Sequence, residues 1–274
     1  MQRYGQRRSR IIGLGLLIAL VVTGCDDDGD GAEDGNAGSA ADEAPEATVV
    51  TGAGDIAPTV EEYRGLLGPD NGGAPDQNAS GRREIDWDAV PDDSAAPNPL
   101  PSDFFNAPDE PRARGAVLET PGDHVAVSAD VDNPAGAGVR FGDINPSYAD
   151  TFRTFSEERL FSPVGSNVVD LRFFLPGTDT PGAVRGFGAV YTDVDEEETA
   201  SFEFFDADDE SLVTFAVPVS EDGLSFLGIA FPDAVVARVR IVYGNSELGP
   251  DDGGRYDVAV MDDFIFGEPQ PLEG

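Results

Sequence analysis

From Arg82 onward, polar and apolar residues alternate in short runs separated by Gly, Pro, Asn and Asp. The run Glu84-Ile85-Asp86-Trp87-Asp88-Ala89-Val90 sets Ile85, Trp87 and Ala89 against Glu84, Asp86 and Asp88, the two faces of a strand. Val117 and residues 124–127 and 139–141 sit in comparable runs. Residues 168–175, 184–191, 201–205, 211–217, 224–231, 235–243 and 256–266 follow at short spacing. About ten strands joined by polar turns, without a helical period between them, predict an all-β fold. The arrangement expected over residues 81–274 is an antiparallel β-sandwich of jelly-roll type. Residues 145–160 break the pattern and are expected to be a long loop or short helical insertion.

Upstream, one helix is predicted over residues 58–69. Thr59 and Glu62 have capping-box spacing, and Gly68-Pro69 stops the run. Val60, Tyr63 and Leu67 share a face, so the helix should dock on the main domain. With the Gly, Asn and Pro linker that follows, it makes a segment of residues 58–80.

The first 24 residues read as a leader. Arg3, Arg7, Arg8 and Arg10 precede an uncharged stretch from Ile11 to Gly24, too short for a comfortable transmembrane helix. Val22-Thr23-Gly24-Cys25 resembles the lipobox of prokaryotic lipoproteins, in which the Cys is lipidated and becomes the new N-terminus. That resemblance implies a lipid on Cys25, a membrane as partner, and a place in the cell envelope facing the extracytoplasmic side. Residues 25–57 are expected to be a disordered acidic tether, since nine acids and no base fall between residues 26 and 50.

Charge then narrows the functional classes. The chain holds 17 basic residues, all Arg, against 53 acids, a formal −36. Such a field repels phosphate backbones and excludes nucleic acid as a partner. An acid excess without Lys resembles the surface of halophile proteins, for which salt screening is stabilising. One Cys and one His rule out a Cys/His zinc site and an intrachain disulfide.

The inventory for chemistry is short. His124 is the single imidazole, it begins a strand, and no Gly-x-Ser-x-Gly elbow lies in the strand region, so nucleophilic catalysis is not expected. An acid pair in a cleft would make a hydrolase, the alternative reading, but 53 acids make that spacing uninformative. Asp262-Asp263 stand out because Val258 to Met261 and Phe264 to Phe266 surround them with apolar side chains. By period two, Asp262 should face with Val260 and Phe264, and Asp263 with Met261 and Ile265. A carboxylate in such surroundings requires a cation or an Arg. Structural Ca²⁺ is expected on Asp262 and Asp263, with Asp193 and Asp195 contributing from another strand end and Arg238 or Arg240 as the competing partner. In a jelly roll the first and last strands lie close, which would bring Glu84, Asp86 and Asp88 towards this pair. Phe202, Phe204, Phe226, Phe231 and Trp87 read as core. Tyr148, Tyr191 and Tyr243 are the rings available to a glycan.

Several runs carry a further resemblance: Gly186-Phe187-Gly188-Ala189-Val190, Phe204-Phe205-Asp206, Ala237-Arg238-Val239-Arg240-Ile241 and Val260-Met261-Asp262-Asp263-Phe264. With Arg83-Glu84-Ile85-Asp86-Trp87-Asp88, they resemble a group of uncharacterised secreted bacterial β-proteins over roughly residues 58–270. Those proteins are similar to galactose-binding and carbohydrate-binding-module jelly rolls. The resemblance implies secretion and a sandwich, and transfers no catalytic residue. The expected function is a surface-anchored, non-catalytic module, either structural or binding a glycan or an envelope protein.

Overall fold

The computed structural model describes residues 46–108 and 110–272. The expected signal peptide, Cys25 and the tether as far as residue 45 lie outside the described residues. In chain order the strands are β1 (Thr48–Ala53), β2 (Arg82–Ile85), β3 (Ala116–Glu119), β4 (His124–Val127) and β5 (Phe161–Val164). Next come β6 (Val168–Phe173), β7 (Gly182–Ala183), β8 (Gly186–Val194), β9 (Ser201–Phe205) and β10 (Ser211–Ala216). The last are β11 (Ser220–Ala230), β12 (Arg238–Val242), β13 (Val260–Gly267) and β14 (Gln270–Pro271). Among the described residues, two α-helices, α1 (Ala57–Leu67) and α2 (Tyr148–Thr151), complete the regular structure apart from one short 3-10 turn.

The fold is an antiparallel β-sandwich. One sheet runs β1-β11-β8-β13-β5-β4, with β2 also paired to β13; the facing sheet runs β10-β9-β12-β6-β3. After β3 the chain crosses between sheets at most connections, which is the jelly-roll habit. Rings from both sheets meet in the middle. Phe187 of β8 lies 5.0 Å from Phe202 of β9, and Phe173 of β6 lies 5.4 Å from Phe266 of β13. Each such ring withdrawn from water contributes about 2–3 kcal/mol.

Burial separates the two sheets. In β6, half-buried and buried residues alternate, so its outer face meets solvent. Every residue of β8 and β13 is buried, because the first sheet is covered on both faces. Part of that cover is α1, whose Val60, Tyr63 and Leu67 pack on Val190, Phe226, Ala230 and Ile265. The Tyr63 ring reaches the sheet because Gly188 and Gly228 lack side chains; a Cβ on either would lie 2.7 Å from the ring. Its hydroxyl donates to the Ile229 carbonyl at 2.8 Å. Tyr148, Phe152 and Leu160, from the insertion, cover Val258 and Val260 farther along.

Four expectations need correction. The tether does not extend to residue 57: Thr48–Ala53 pairs with β11 as an edge strand, and Val50 is its one buried residue. Helix α1 begins at Ala57 with proline in its first turn, and no capping-box bond is made. Residues 139–141 form only a bridge from Val139 to Ala129, then turn through positive φ at Arg140 and Phe141. The strand expected over residues 84–90 ends at Ile85. Trp87 instead takes a left-handed backbone with φ 67°, stacks on Phe161 at 4.3 Å and donates its indole N–H to the Asp262 carbonyl.

Candidate metal centre

Asp193 sits near the end of β8 in a left-handed backbone conformation, φ 67°. Opposite it, the register of β11 shifts between Ser220 and Leu224. This bulge brings the Asp222 amide within 2.8 Å of the Asp193 carboxylate. Two residues on, the turn is folded around Asp257, which is fully buried and accepts the Asp195 and Glu196 amides and the Thr199 hydroxyl. Asp252 arrives on the loop between β12 and β13. As a result, one carboxylate oxygen from each of Asp193, Asp195 and Asp252 lies within 4.8 Å of the other two.

Nothing positive balances this triad among the described residues; none of the three enters an ion pair. Asp193 is 3% exposed, and Asp195 Oδ1 is buried without a hydrogen-bond partner. Burial first, and then the charges of Asp195, Asp252 and Asp222, push the Asp193 carboxyl up to about 7 despite the Asp222 amide. Burial, followed by the charges of Asp257 and Asp252, pushes Asp195 to about 6. Asp252 is raised by burial and by Asp257 and Asp222. Convergent oxygens with uncompensated charge and no nitrogen or sulfur suit a hard divalent cation such as Ca²⁺.

The expected partners Asp262 and Asp263 lie outside this triad, and a bulge is the reason. Between Met261 and Phe264 the register of β13 against β8 shifts. Met261 and Phe264 therefore both enter the central core, while Val260 and Ile265 join the outer clusters. The period-two assignment of faces fails here, and both carboxyls emerge beside the cover of the first sheet. Asp262, fully buried, accepts the Phe155 amide at 2.6 Å and the Ser156 hydroxyl at 2.9 Å. Asp263 lies 3.4 Å from Arg64 of α1. Its Oδ1 is buried without a hydrogen-bond partner among the described residues. Burial and the neighbouring charge of Asp263 push Asp262 well above the usual carboxylate range. Burial also raises Asp263, against Ser156, Asp262 and Arg64.

The proximity of first and last strands is as anticipated: Glu84 pairs in register with Ile265 and Ile85 with Phe264. The charges there are met internally. Glu84 is held by Arg64 at 2.6 Å and Arg82 at 2.5 Å, and Asp88 accepts the Arg159 amide. Arg238 and Arg240, the anticipated competitors, instead hold Asp170 on the facing sheet, and Arg238 also holds Asp209. Asp252 was not foreseen. It belongs to the loop sequence Asp251-Asp252-Gly253-Gly254, which has no periodicity and differs little from the other acidic turns of this chain.

Two other anticipated groups are now placed. Tyr148, Tyr191 and Tyr243 are all at most 1% exposed, so none offers a stacking face to a sugar. His124 is half-buried and lines an open groove of about 650 Å³ with Glu119, Asp123, Asp170 and Arg240. Among the described residues, no helix is long and apolar enough to cross a membrane.

Compared with known proteins, the chain matches no family model and no curated sequence. Among solved structures it is similar to a two-domain protein of unknown function from Bacteroides fragilis NCTC 9343, at 11% identity and a TM-score of 0.22. That match covers 54% of this chain and 47% of the other.

Proposed function

We propose that this protein is an envelope-anchored, non-catalytic β-sandwich lipoprotein whose loop-bearing end is clamped by Ca²⁺ on Asp193, Asp195 and Asp252. The observation that carries this reading is the convergence of three carboxylates, one of them almost fully buried, none of which enters an ion pair among the described residues. A bound cation would neutralise them and tie the end of β8 to the loop before β13, favouring the native state by linkage. The basic leader, the apolar stretch and the lone Cys25 support the anchor. Buried tyrosines favour an envelope protein or matrix polymer as partner over a sugar stacked on aromatic rings. The non-catalytic assignment is supported by the surroundings of Asp262 and Asp263. Their side chains are closed over by α1 and residues 155–156 and do not line a cleft that admits substrate.

The test uses the full chain in detergent, melted with Ca²⁺ or with chelator at about 1 M NaCl, where the Debye length is about 3 Å. Calcium should raise the melting temperature, and a Cys25→Ser chain should leave the membrane fraction or fail to be processed. An unchanged melt would remove the clamp. Membrane retention of a processed Cys25→Ser chain would remove the lipid anchor.

A further inference from the structure

Beside Trp87, and sharing no residue with the carboxylate triad, lies a cavity of about 150 Å³. A cavity of that size accepts a benzene-sized body. Its walls are aromatic: Trp87, Phe104 and Phe105, with Phe105 edge-on to Trp87 at 5.6 Å. Two guanidinium groups complete it. Arg112 lies over the Phe104 ring at 4.1 Å and is engaged by the Phe104 carbonyl and Glu110. Arg114 lies over the Phe105 ring at 5.3 Å, and its hydrogen bonding is incomplete. One terminal nitrogen donates to the Arg112 carbonyl at 3.3 Å, Nε is buried without an acceptor, and no ion pair reaches it among the described residues.

We infer that this cavity is a binding site for a small organic monocarboxylate with a compact apolar body. Arg114 lines the cavity with a guanidinium whose planar fork matches a carboxylate. The rings supply the apolar enclosure, and both guanidinium groups line the same cavity. Asp86 at the rim sets the charge limit, since its exposed carboxylate repels a second negative charge and so disfavours dianions. The wall is rigid. Trp87 is fixed by its bond to the Asp262 carbonyl and by stacking on Phe161, even though its left-handed backbone is strained for a bulky residue. Burial lowers the Arg114 pKa against the opposing charges of Asp86 and Asp70.

Trp87 is the single tryptophan of the chain, so its fluorescence reports on this cavity directly. The experiment titrates the full chain in detergent, at fixed ionic strength, with benzoate and with its neutral isostere benzamide. Benzoate should give a saturable change in Trp87 emission and benzamide should not. Arg114→Gln should weaken benzoate by at least about tenfold, the scale of one lost charged hydrogen bond. Arg114→Lys, with charge but no fork, should fall between the two. Absence of saturation with benzoate, equal response to benzamide, or unchanged affinity in a folded Arg114→Gln chain would each overturn the inference. If Arg114→Gln does not fold, the benzoate and benzamide comparison on the unaltered chain decides it.

Discussion

Replacing Asp193 by Asn should stabilise the calcium-free protein and destroy its response to calcium. Asn keeps an oxygen for the Asp222 amide and removes the charge. In the folded chain the Asp193 carboxyl is pushed up to about 7 from 3.8, so its ionisation at pH 8 costs stability. About three pH units correspond to about 4 kcal/mol. Exposure of the neighbouring carboxylates to solvent screens part of this, leaving about 2 kcal/mol. The sign follows from a raised folded-state pKa: the cost is nil below the unfolded value, grows as pH rises, and is complete above about 7. At pH 8 in chelator, Asp193→Asn should therefore melt about 4–8 °C above the unaltered chain, and at pH 4 the two should coincide. Calcium reverses the order. At a thousand times its dissociation constant it adds about 4.1 kcal/mol to the unaltered chain, and far less to the variant. Differential scanning calorimetry at high, constant ionic strength reads all four conditions. A variant less stable in chelator would refute the claim that the triad lacks counter-charge. An equal calcium increment in both chains would place the metal elsewhere.

The Asp262–Asp263 pair predicts a second pH signature, separable from the first by mutation. Both folded-state pKa values are raised, so the pair costs stability as pH rises beyond the ordinary carboxylate range. Asp262→Asn, which removes the ionisable group, should flatten the fall in stability between pH 5 and 8 by up to about 1.4 kcal/mol per pH unit; denaturant melts giving an unaltered slope would count against a raised Asp262 pKa. On the same face of the sheet, Gly228→Ala should cost about 1–3 kcal/mol, because its Cβ would stand 2.7 Å from the Tyr63 ring and push α1 outward. Tyr63→Phe should cost about 1 kcal/mol by leaving the Ile229 carbonyl without its donor, and urea titration of both variants checks the packing of α1.

Much of the architecture is legible in the chain because burial follows simple periods. Val168–Phe173 alternates as a strand with one wet face, and Val60, Tyr63 and Leu67 mark a helix with one dry face. Periodicity is blind where burial is slight or a bulge intervenes. Strand β1 buries only Val50, so its short apolar signal was submerged in the acidic stretch before it. At Asp262-Asp263 one additional residue on β13 resets the alternation, and two carboxyls expected on opposite faces emerge on the same one. Asp252 was hidden for a different reason. Its role comes from a loop fold that joins positions distant in sequence, and neighbouring aspartates are commonplace in this chain.

The two acidic clusters show why local supply of positive charge, rather than acid density, distinguishes a cation site from a structural pair. Arg64 projects from α1 and serves Glu61, Glu84 and Asp263 together, while Asp262 accepts the Phe155 amide and the Ser156 hydroxyl. Arg83 is fully buried against Glu268 and also donates to the carbonyls of Gly72, Ala74 and Asp76, so the segment before β2 is bound to the strand's own charge. Arg159 similarly joins Asp92 to Asp130. For Arg64 and Arg159 the helix or loop covering the sandwich carries one half of an ion pair, and docking neutralises the carboxylate that it covers. The end of β8 is built differently. The segments closing over Asp193 bring Asp195, Asp222 and Asp252, and the donors they supply to these carboxylates are backbone amides, while Arg153 is engaged by the Asp222 carbonyl and enters no ion pair among the described residues. Closing that end therefore accumulates negative charge with each segment added, and a divalent cation is the partner that turns this accumulation into cohesion.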